Sequence, residues 1–155
     1  MRDEVAGLAD ELDRTFRGDA WHGPSLRAVL VDVDATSAAA RPITPAHTIW
    51  ELTLHAAVWM DVVRRRLQGE IVEPTDLEDW PPTGETSEQH WRDALYALDS
   101  AADRLLGAVR VLSPADLDRI TPGKSHDNRL MLLGVIEHNL YHAGQIAVLR
   151  RALRG

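Results

Sequence analysis

The spacing of apolar residues is the feature that most constrains how this chain can fold. Apolar positions recur at intervals of three or four through nearly the whole sequence, and no stretch alternates with the period of two that a half-buried strand requires. The first segment of this kind carries Val5, Leu8, Leu12 and Phe16, and Gly18 ends it. A shorter segment with the same spacing follows at residues 26–33. The sequence therefore predicts an all-α protein.

A second long helix and a long connection follow. Thr44 is the expected N-cap, with Pro45 at the first helical position, and Gly69 is the expected end. Residues 70–85 contain three prolines and are predicted to form a loop. A loop of this length can recross a helix of about 30 Å at about 3.3 Å per residue, so the second and third long helices can run parallel with a crossover between them.

Two further helices complete the predicted fold. Thr86 and Gln89 fit a capping box that opens the third long helix, and the last is expected to run from Asp127 to about Leu153. Four long helices without strands are typical of a four-helix bundle. At 155 residues, the chain is predicted to form one such domain over residues 1–155.

Composition narrows the possible partners. A formal net charge of −7 argues against a nucleic-acid-binding surface, and the absence of cysteine excludes disulfides, thiolate metal sites and a cysteine nucleophile. No stretch predicts a signal peptide or a membrane span, so a cytoplasmic location is expected. Between Arg129 and Arg150 the only formally charged side chain is Glu137, which predicts a helix that is buried on most faces or forms a homodimer interface.

Three of the seven histidines suggest a metal site. His138 and His142 lie four residues apart in the most apolar helix, so their side chains leave one face one turn apart. His55 lies in the middle of the other strongly apolar helix. Burying three unpartnered imidazoles is costly, and a shared divalent cation would satisfy them together. Three imidazoles suit zinc, nickel, iron and copper alike. The alternative to a metal site is that these histidines lie in the core and make hydrogen bonds within the protein.

Two polar residues lie near these histidines in the sequence. Glu51 is one turn before His55, where it is expected to fix the imidazole tautomer, to act as a base, or only to cap the helix. Gln145 is three residues after His142 and is a candidate to hydrogen-bond the ligands or a substrate. A di-iron carboxylate site is excluded, because residue 54 after Glu51 and residue 140 after Glu137 are leucines instead of the histidine of a Glu-x-x-His motif.

Several motifs resemble the DinB/YfiT-like family over essentially the full length of the chain. They are the segments at residues 21–25, 47–55, 79–81 and 137–146, of which the last, Glu-His-Asn-Leu-Tyr-His-Ala-Gly-Gln-Ile, is the most specific. The resemblance implies a bundle of up-down-down-up topology whose divalent metal is held by His55, His138 and His142. The family often has an acidic residue where this chain has Asn139, so affinity or chemistry is expected to differ.

The resemblance implies which residues hold the metal, but it does not imply which reaction the protein catalyses. The first hypothesis is an S-transferase that uses zinc or nickel to ionise a diffusible low-molecular-weight thiol, which then attacks a small-molecule electrophile. The second is a metal-dependent hydrolase in which Glu51 or another base takes a proton from water. The third is a non-catalytic, metal-binding stress-response module.

Overall fold

A computed structural model describes residues 3–155 and contains only helices and connections in that range, with two isolated bridges and no strand. Four helices are long: α1 (Glu4–Arg17), α4 (Ile49–Leu67), α6 (Glu88–Arg110) and α8 (Asn128–Leu153). Four are one turn or little more: α2 (Leu26–Val29), α3 (Ala35–Ala39), α5 (Asp76–Asp79) and α7 (Pro114–Leu117). The all-α prediction is confirmed.

The long helices pack around a shared apolar core. Helices α1 and α4 each lie against both α6 and α8. The core contains the tryptophans of α4 and α6, since the rings of Trp50 and Trp91 lie 5.2 Å apart and both are 1–2% exposed. Trp91 Nε1–H donates to the carbonyl of Val33 at 2.6 Å, which satisfies the buried indole and ties the segment before α3 to α6.

The prediction that α4 begins after Thr44 is wrong. Thr48 is the N-cap: its hydroxyl accepts from the backbone N–H of Glu51, and the Glu51 carboxylate accepts from the backbone N–H of Thr48. This reciprocal capping box satisfies two amides at once, whereas a cap at Thr44 would have no acidic partner three residues later. The predicted end at Gly69 lies two residues beyond the last helical residue, Leu67.

The start of α6 also differs from the prediction. Ser87, and not Thr86, is its N-cap and accepts from the backbone N–H of His90. The predicted capping box with Gln89 does not form, because the side-chain amide of Gln89 donates to Asp93 further along the helix. The final helix begins after Asp127 and ends at Leu153, as predicted.

The connection between α4 and α6, residues 68–87, is called the crossover below. It is more ordered than the loop predicted from its prolines. It contains the one-turn helix α5, capped by Thr75 and Glu78. Its first part is held to α4 by Arg66, whose Nε and Nη2 both donate to the carbonyl of Val72, at 3.1 and 2.7 Å. These two hydrogen bonds attach the start of the crossover to α4. Asp79 and Trp80 lie at the end of α5.

The capping box gives a test of where α4 begins. Replacement of Thr48 by alanine is expected to lower the free energy of unfolding by about 1 kcal/mol, because the N–H of Glu51 loses its acceptor. Thr44→Ala is the matched control and is expected to change stability by less than about 0.5 kcal/mol, since Thr44 is exposed. Urea unfolding of both variants measures the difference, and equal losses would contradict this assignment of the N-cap.

No helix within residues 3–155 combines the length and apolarity needed to cross a bilayer.

Candidate metal centre

The three histidines predicted to share a cation meet between α4 and α8. His55 is buried in the middle of α4, and His138 and His142 leave α8 one turn apart. The Nε2 atom of His138 lies 3.0 Å from Nε2 of His55 and 3.0 Å from Nε2 of His142. One ligand atom from each residue lies within 4.8 Å of the others. We call these residues the histidine triad.

The other ring nitrogens of two triad members face acceptors. Nδ1 of His55 lies 2.9 Å from the backbone carbonyl oxygen of Asp79 and 3.0 Å from its Oδ1. Nδ1 of His142 lies 2.6 Å from Oε1 of Gln145. Both Nδ1 atoms therefore carry the proton, which leaves the Nε2 lone pairs of both rings directed towards His138.

This donor set fits a divalent cation. Ligand nitrogens at about 2.05 Å from a tetrahedral zinc lie about 3.3 Å from each other, close to the separations within the triad. Without a cation, a proton on His138 Nε2 can bridge only one of the two facing lone pairs at a time. The triad is therefore an arrangement that can hold a divalent metal ion by three imidazoles and leave a coordination position open.

Burial favours the neutral imidazoles that a metal requires. Desolvation, reinforced by the neighbouring His142 and His55 rings, lowers the pKa of His138 to about 4. Burial also lowers the pKa of His142, although its hydrogen bond to Gln145 opposes this shift. At neutral pH both rings are uncharged and need not lose a proton to bind a cation.

These shifts predict how the metal-free protein responds to acid. The pKa of His138 is lower in the folded chain than its usual value of 6.5, so between pH 6.5 and 4 the unfolded chain binds more protons. The neutral ring therefore makes its full contribution to the free energy of unfolding above pH 6.5, and this contribution is lost as the pH falls towards 4. Urea unfolding at pH 7 and pH 5 after chelator treatment should show a smaller decrease for His138→Gln than for the wild type. An equal decrease would contradict the burial of a neutral ring.

The crossover supplies the carboxylate and an aromatic wall. Trp59 Nε1–H donates to Oδ1 of Asp79 at 2.6 Å, which fixes the carboxylate that faces His55. The indole of Trp80 stacks on two imidazoles: its centroid is 3.9 Å from that of His55 and 3.6 Å from that of His47, with interplanar angles of 4° and 5°. His55 is thus held at its nitrogen by Asp79 and on its face by Trp80.

The two other predicted site residues have different surroundings. Gln145 contacts the triad through His142, as described above. The Glu51 carboxylate caps α4, lies 2.9 and 3.1 Å from Nη2 of Arg41, and has its Oε2 3.3 Å from Nδ1 of His47. Its hydrogen-bond contacts are with these residues and not with His55. Burial raises the pKa of Glu51, but the bonds from Thr48 and Arg41 outweigh burial and lower it overall.

Asn139, where the family resemblance leads us to expect an acidic residue, is 1% exposed. Among residues 3–155, neither its Oδ1 nor its Nδ2 has a hydrogen-bond partner, and the same is true of Nδ1 of His138. A neutral amide costs less to bury at this position than a charged carboxylate would.

One cavity is lined by members of the triad, and a second is lined by residues that contact His142. The Trp59 cavity has a volume of about 390 Å³, and its wall includes His55, His138, Trp59 and Gly134. The Tyr141 cavity has a volume of about 440 Å³, and its wall includes His47, Tyr141, Gly144 and Gln145. A larger cavity of about 720 Å³ between α4, α6 and the crossover contains no histidine, so its size does not make it the reactive site.

Apolar spacing does not predict that Asp79, Trp80 or Arg66 belongs to the site. Asp79 and Trp80 fall within residues 79–81, one of the motifs of the family resemblance, whereas Arg66 falls in none of those motifs. The crossover brings Asp79 within hydrogen-bond distance of a residue 24 positions away, a contact that no local periodicity encodes. The one available signal was an acidic and an aromatic residue directly before the prolines of the crossover.

Comparisons with known proteins agree with the family suggested by the motifs. The sequence profile of the DinB superfamily matches residues 19–146, a range that contains the whole triad and the crossover. Comparison with curated proteins and with solved structures found no match. Because the matched range covers most of its length, the chain belongs to the DinB superfamily.

Proposed function

We propose that this protein is a metal-dependent S-transferase that joins a diffusible low-molecular-weight thiol to a small electrophile. The triad is the proposed ligand set for zinc or nickel, and the convergence of its three Nε2 atoms is the observation that carries the proposal. Such a cation, when bound, lowers the pKa of a coordinated thiol or water so that a nucleophile exists at neutral pH. The chain contains no cysteine, so the sulfur comes from a second substrate.

The two cavities favour transfer over hydrolysis. A transferase must hold two organic reactants, and the chain offers the Trp59 cavity at the triad and a separate Tyr141 cavity, whose wall includes Gln145 but no member of the triad. A hydrolase needs one such space and a water molecule. The Trp59 cavity is lined directly by two triad members, and the Tyr141 cavity is connected to the third through Gln145.

The residues around the triad have proposed roles that follow from their contacts. Asp79 and Gln145 are positioning residues. The backbone carbonyl of Asp79 accepts from Nδ1 of His55, with the carboxylate 3.0 Å from the same atom, and Oε1 of Gln145 accepts from Nδ1 of His142. In the hydrolase alternative a carboxylate takes a proton from water. Glu51 would do so only by leaving its bonds to Thr48 and Arg41, which makes it the less favoured base.

Activity assays with matched substrate panels test the proposal. Purified protein is incubated with glutathione, mycothiol or bacillithiol and a set of common electrophiles, and in parallel with esters and amides without thiol. We expect transfer that depends on both the thiol and the metal and is lost in His138→Ala/His142→Ala. Thiol-independent hydrolysis would replace the transferase by the hydrolase, and silence in both panels with metal bound would favour a non-catalytic module.

The oligomeric state, location and helix order are further parts of the proposal. We propose a cytoplasmic homodimer with the up-down-down-up order implied by the family resemblance. The dimer is supported by large apolar side chains that α8 leaves exposed, namely Leu130, Leu133, Tyr141 and Val148. Light scattering after size-exclusion chromatography should give twice the chain mass of 17.2 kDa, and a monomer at all concentrations would refute the dimer.

A further inference from the structure

The Trp59 cavity extends well beyond the triad along α4. Its wall on this helix is formed by His55, Trp59, Val63 and Arg66, so it follows twelve residues, or about 16 Å of helix. Val63 of α4 and Met131 and Val135 of α8 give the wall an apolar stretch, and its other polar members are Asp79, which contacts His55, and His126. A space of this shape suits an elongated ligand with an apolar middle.

The far end of this cavity contains a buried cation. The Arg66 side chain is only 5% exposed, and its guanidinium carbon lies 5.6 Å from the centroid of the Trp59 ring. A guanidinium has five N–H donors, and two of those of Arg66 donate to the carbonyl of Val72. Three donors are left for another acceptor, and Arg66 lines the cavity that offers room for one.

The charge of Arg66 is only partly compensated. The nearest carboxylate, that of Glu73, lies 3.6 Å from Nη2 of Arg66, is more than half exposed, and is shared with Lys124. Two cations and one carboxylate leave a net charge of +1 at this end. Burial lowers the pKa of Arg66, and the negative charge of Glu73 opposes this shift without cancelling it. The loss of hydration therefore destabilises the charged guanidinium more than its attraction to Glu73 stabilises it. An anionic ligand would supply the missing partner.

We propose that the Trp59 cavity binds an elongated, largely apolar substrate with a terminal carboxylate, whose carboxylate pairs with Arg66 while its opposite end faces the triad. The identification of that opposite end as the reacting one rests on the proposed transferase function. The binding of the carboxylate by Arg66 does not, because it involves no metal and no reaction.

Matched ligands test this site by isothermal titration calorimetry. Octanoate and octanamide have the same chain and differ in the charge of the head group. For the wild type we expect octanoate to bind at least about tenfold more tightly, as is typical of a hydrogen bond to a charged group. Arg66→Met should bring the two affinities to within about twofold. Arg65→Met is the control and should keep the preference, since Arg65 pairs with Glu70 outside this cavity.

A second variant keeps the test decisive if Arg66→Met does not fold. A Cβ atom at Gly134 would meet no atom within 4 Å, and Gly134 lines the Trp59 cavity, so the side chain of Gly134→Leu starts from open space and occupies part of this cavity. It should weaken octanoate binding at least about tenfold by filling the space. Gly144→Leu, in equally open surroundings on the Tyr141 cavity, is the control and should leave octanoate binding unchanged.

The titrations are made on the protein as purified and repeated after treatment with a chelator. A preference for octanoate that survives chelation supports Arg66 as the carboxylate site, whether or not the transferase proposal holds. A preference that disappears with the metal would place the carboxylate on the cation and overturn the inference. Equal affinity for the two ligands in the wild type, or unchanged octanoate binding in Gly134→Leu, would also overturn it.

Discussion

Replacing both triad histidines of α8 should abolish metal binding. The His138→Ala/His142→Ala variant keeps only His55, and one imidazole cannot replace the three that converge within the wild-type site. We expect bound zinc or nickel to fall from about one per chain to background, with an affinity loss of at least about a thousandfold, since structural zinc sites derive their binding energy from several ligands together. Elemental analysis after dialysis gives the stoichiometry, and competition with a chromophoric chelator gives the affinity.

The control removes two histidines outside the triad. His22 and His90 are exposed, and His22→Ala/His90→Ala is expected to retain the full metal content. Circular dichroism of both double variants checks that the helices persist, because loss of the fold would also remove the metal. Equal metal content in the two variants would contradict the ligand assignment.

The spacing of apolar residues was sufficient to predict the helices, because the residues that a helix buries on one face recur every three or four positions. The same argument placed His138 and His142 on one face of α8, and burial cost suggested that His55 joins them. These inferences use local spacing and a simple energetic rule, and the triad has the geometry they require. The helix starts were harder to predict, since Thr44 and Thr48 both precede apolar runs and only the carboxylate of Glu51 distinguishes them.

The contacts that complete the site come from the tertiary fold. Glu51 is one helical turn from His55 in sequence, yet its carboxylate is bound by the helix start and by Arg41. Asp79 is distant in sequence, and the crossover carries it to Nδ1 of His55. A loop constrained only by prolines has many possible paths, so sequence spacing cannot choose which of its side chains will meet a helix on the far side.

The carboxylate of Asp79 should therefore matter for metal affinity although it is not a ligand. Nδ1–H of His55 donates to the backbone carbonyl of Asp79, and Oδ1 of the carboxylate lies 3.0 Å from the same nitrogen, so its negative charge favours this tautomer and makes the opposite nitrogen more basic. Asp79→Asn removes the charge while keeping the shape, and we expect about 10- to 100-fold weaker zinc binding, the range typical when such a partner is lost. Competition titrations with a chromophoric chelator at pH 7.5 measure the change.

Two further variants distinguish this role from a general effect of charge. Asp76→Asn removes an exposed carboxylate of the same short helix and should leave zinc affinity within about twofold of the wild type. Glu51→Gln tests the carboxylate that spacing had suggested, and its effect should be smaller than that of Asp79→Asn because Glu51 reaches the triad only through His47 and Trp80. A larger loss in Glu51→Gln would identify Glu51 as the carboxylate that supports the metal, and the contact between Asp79 and His55 would then serve only to anchor the crossover.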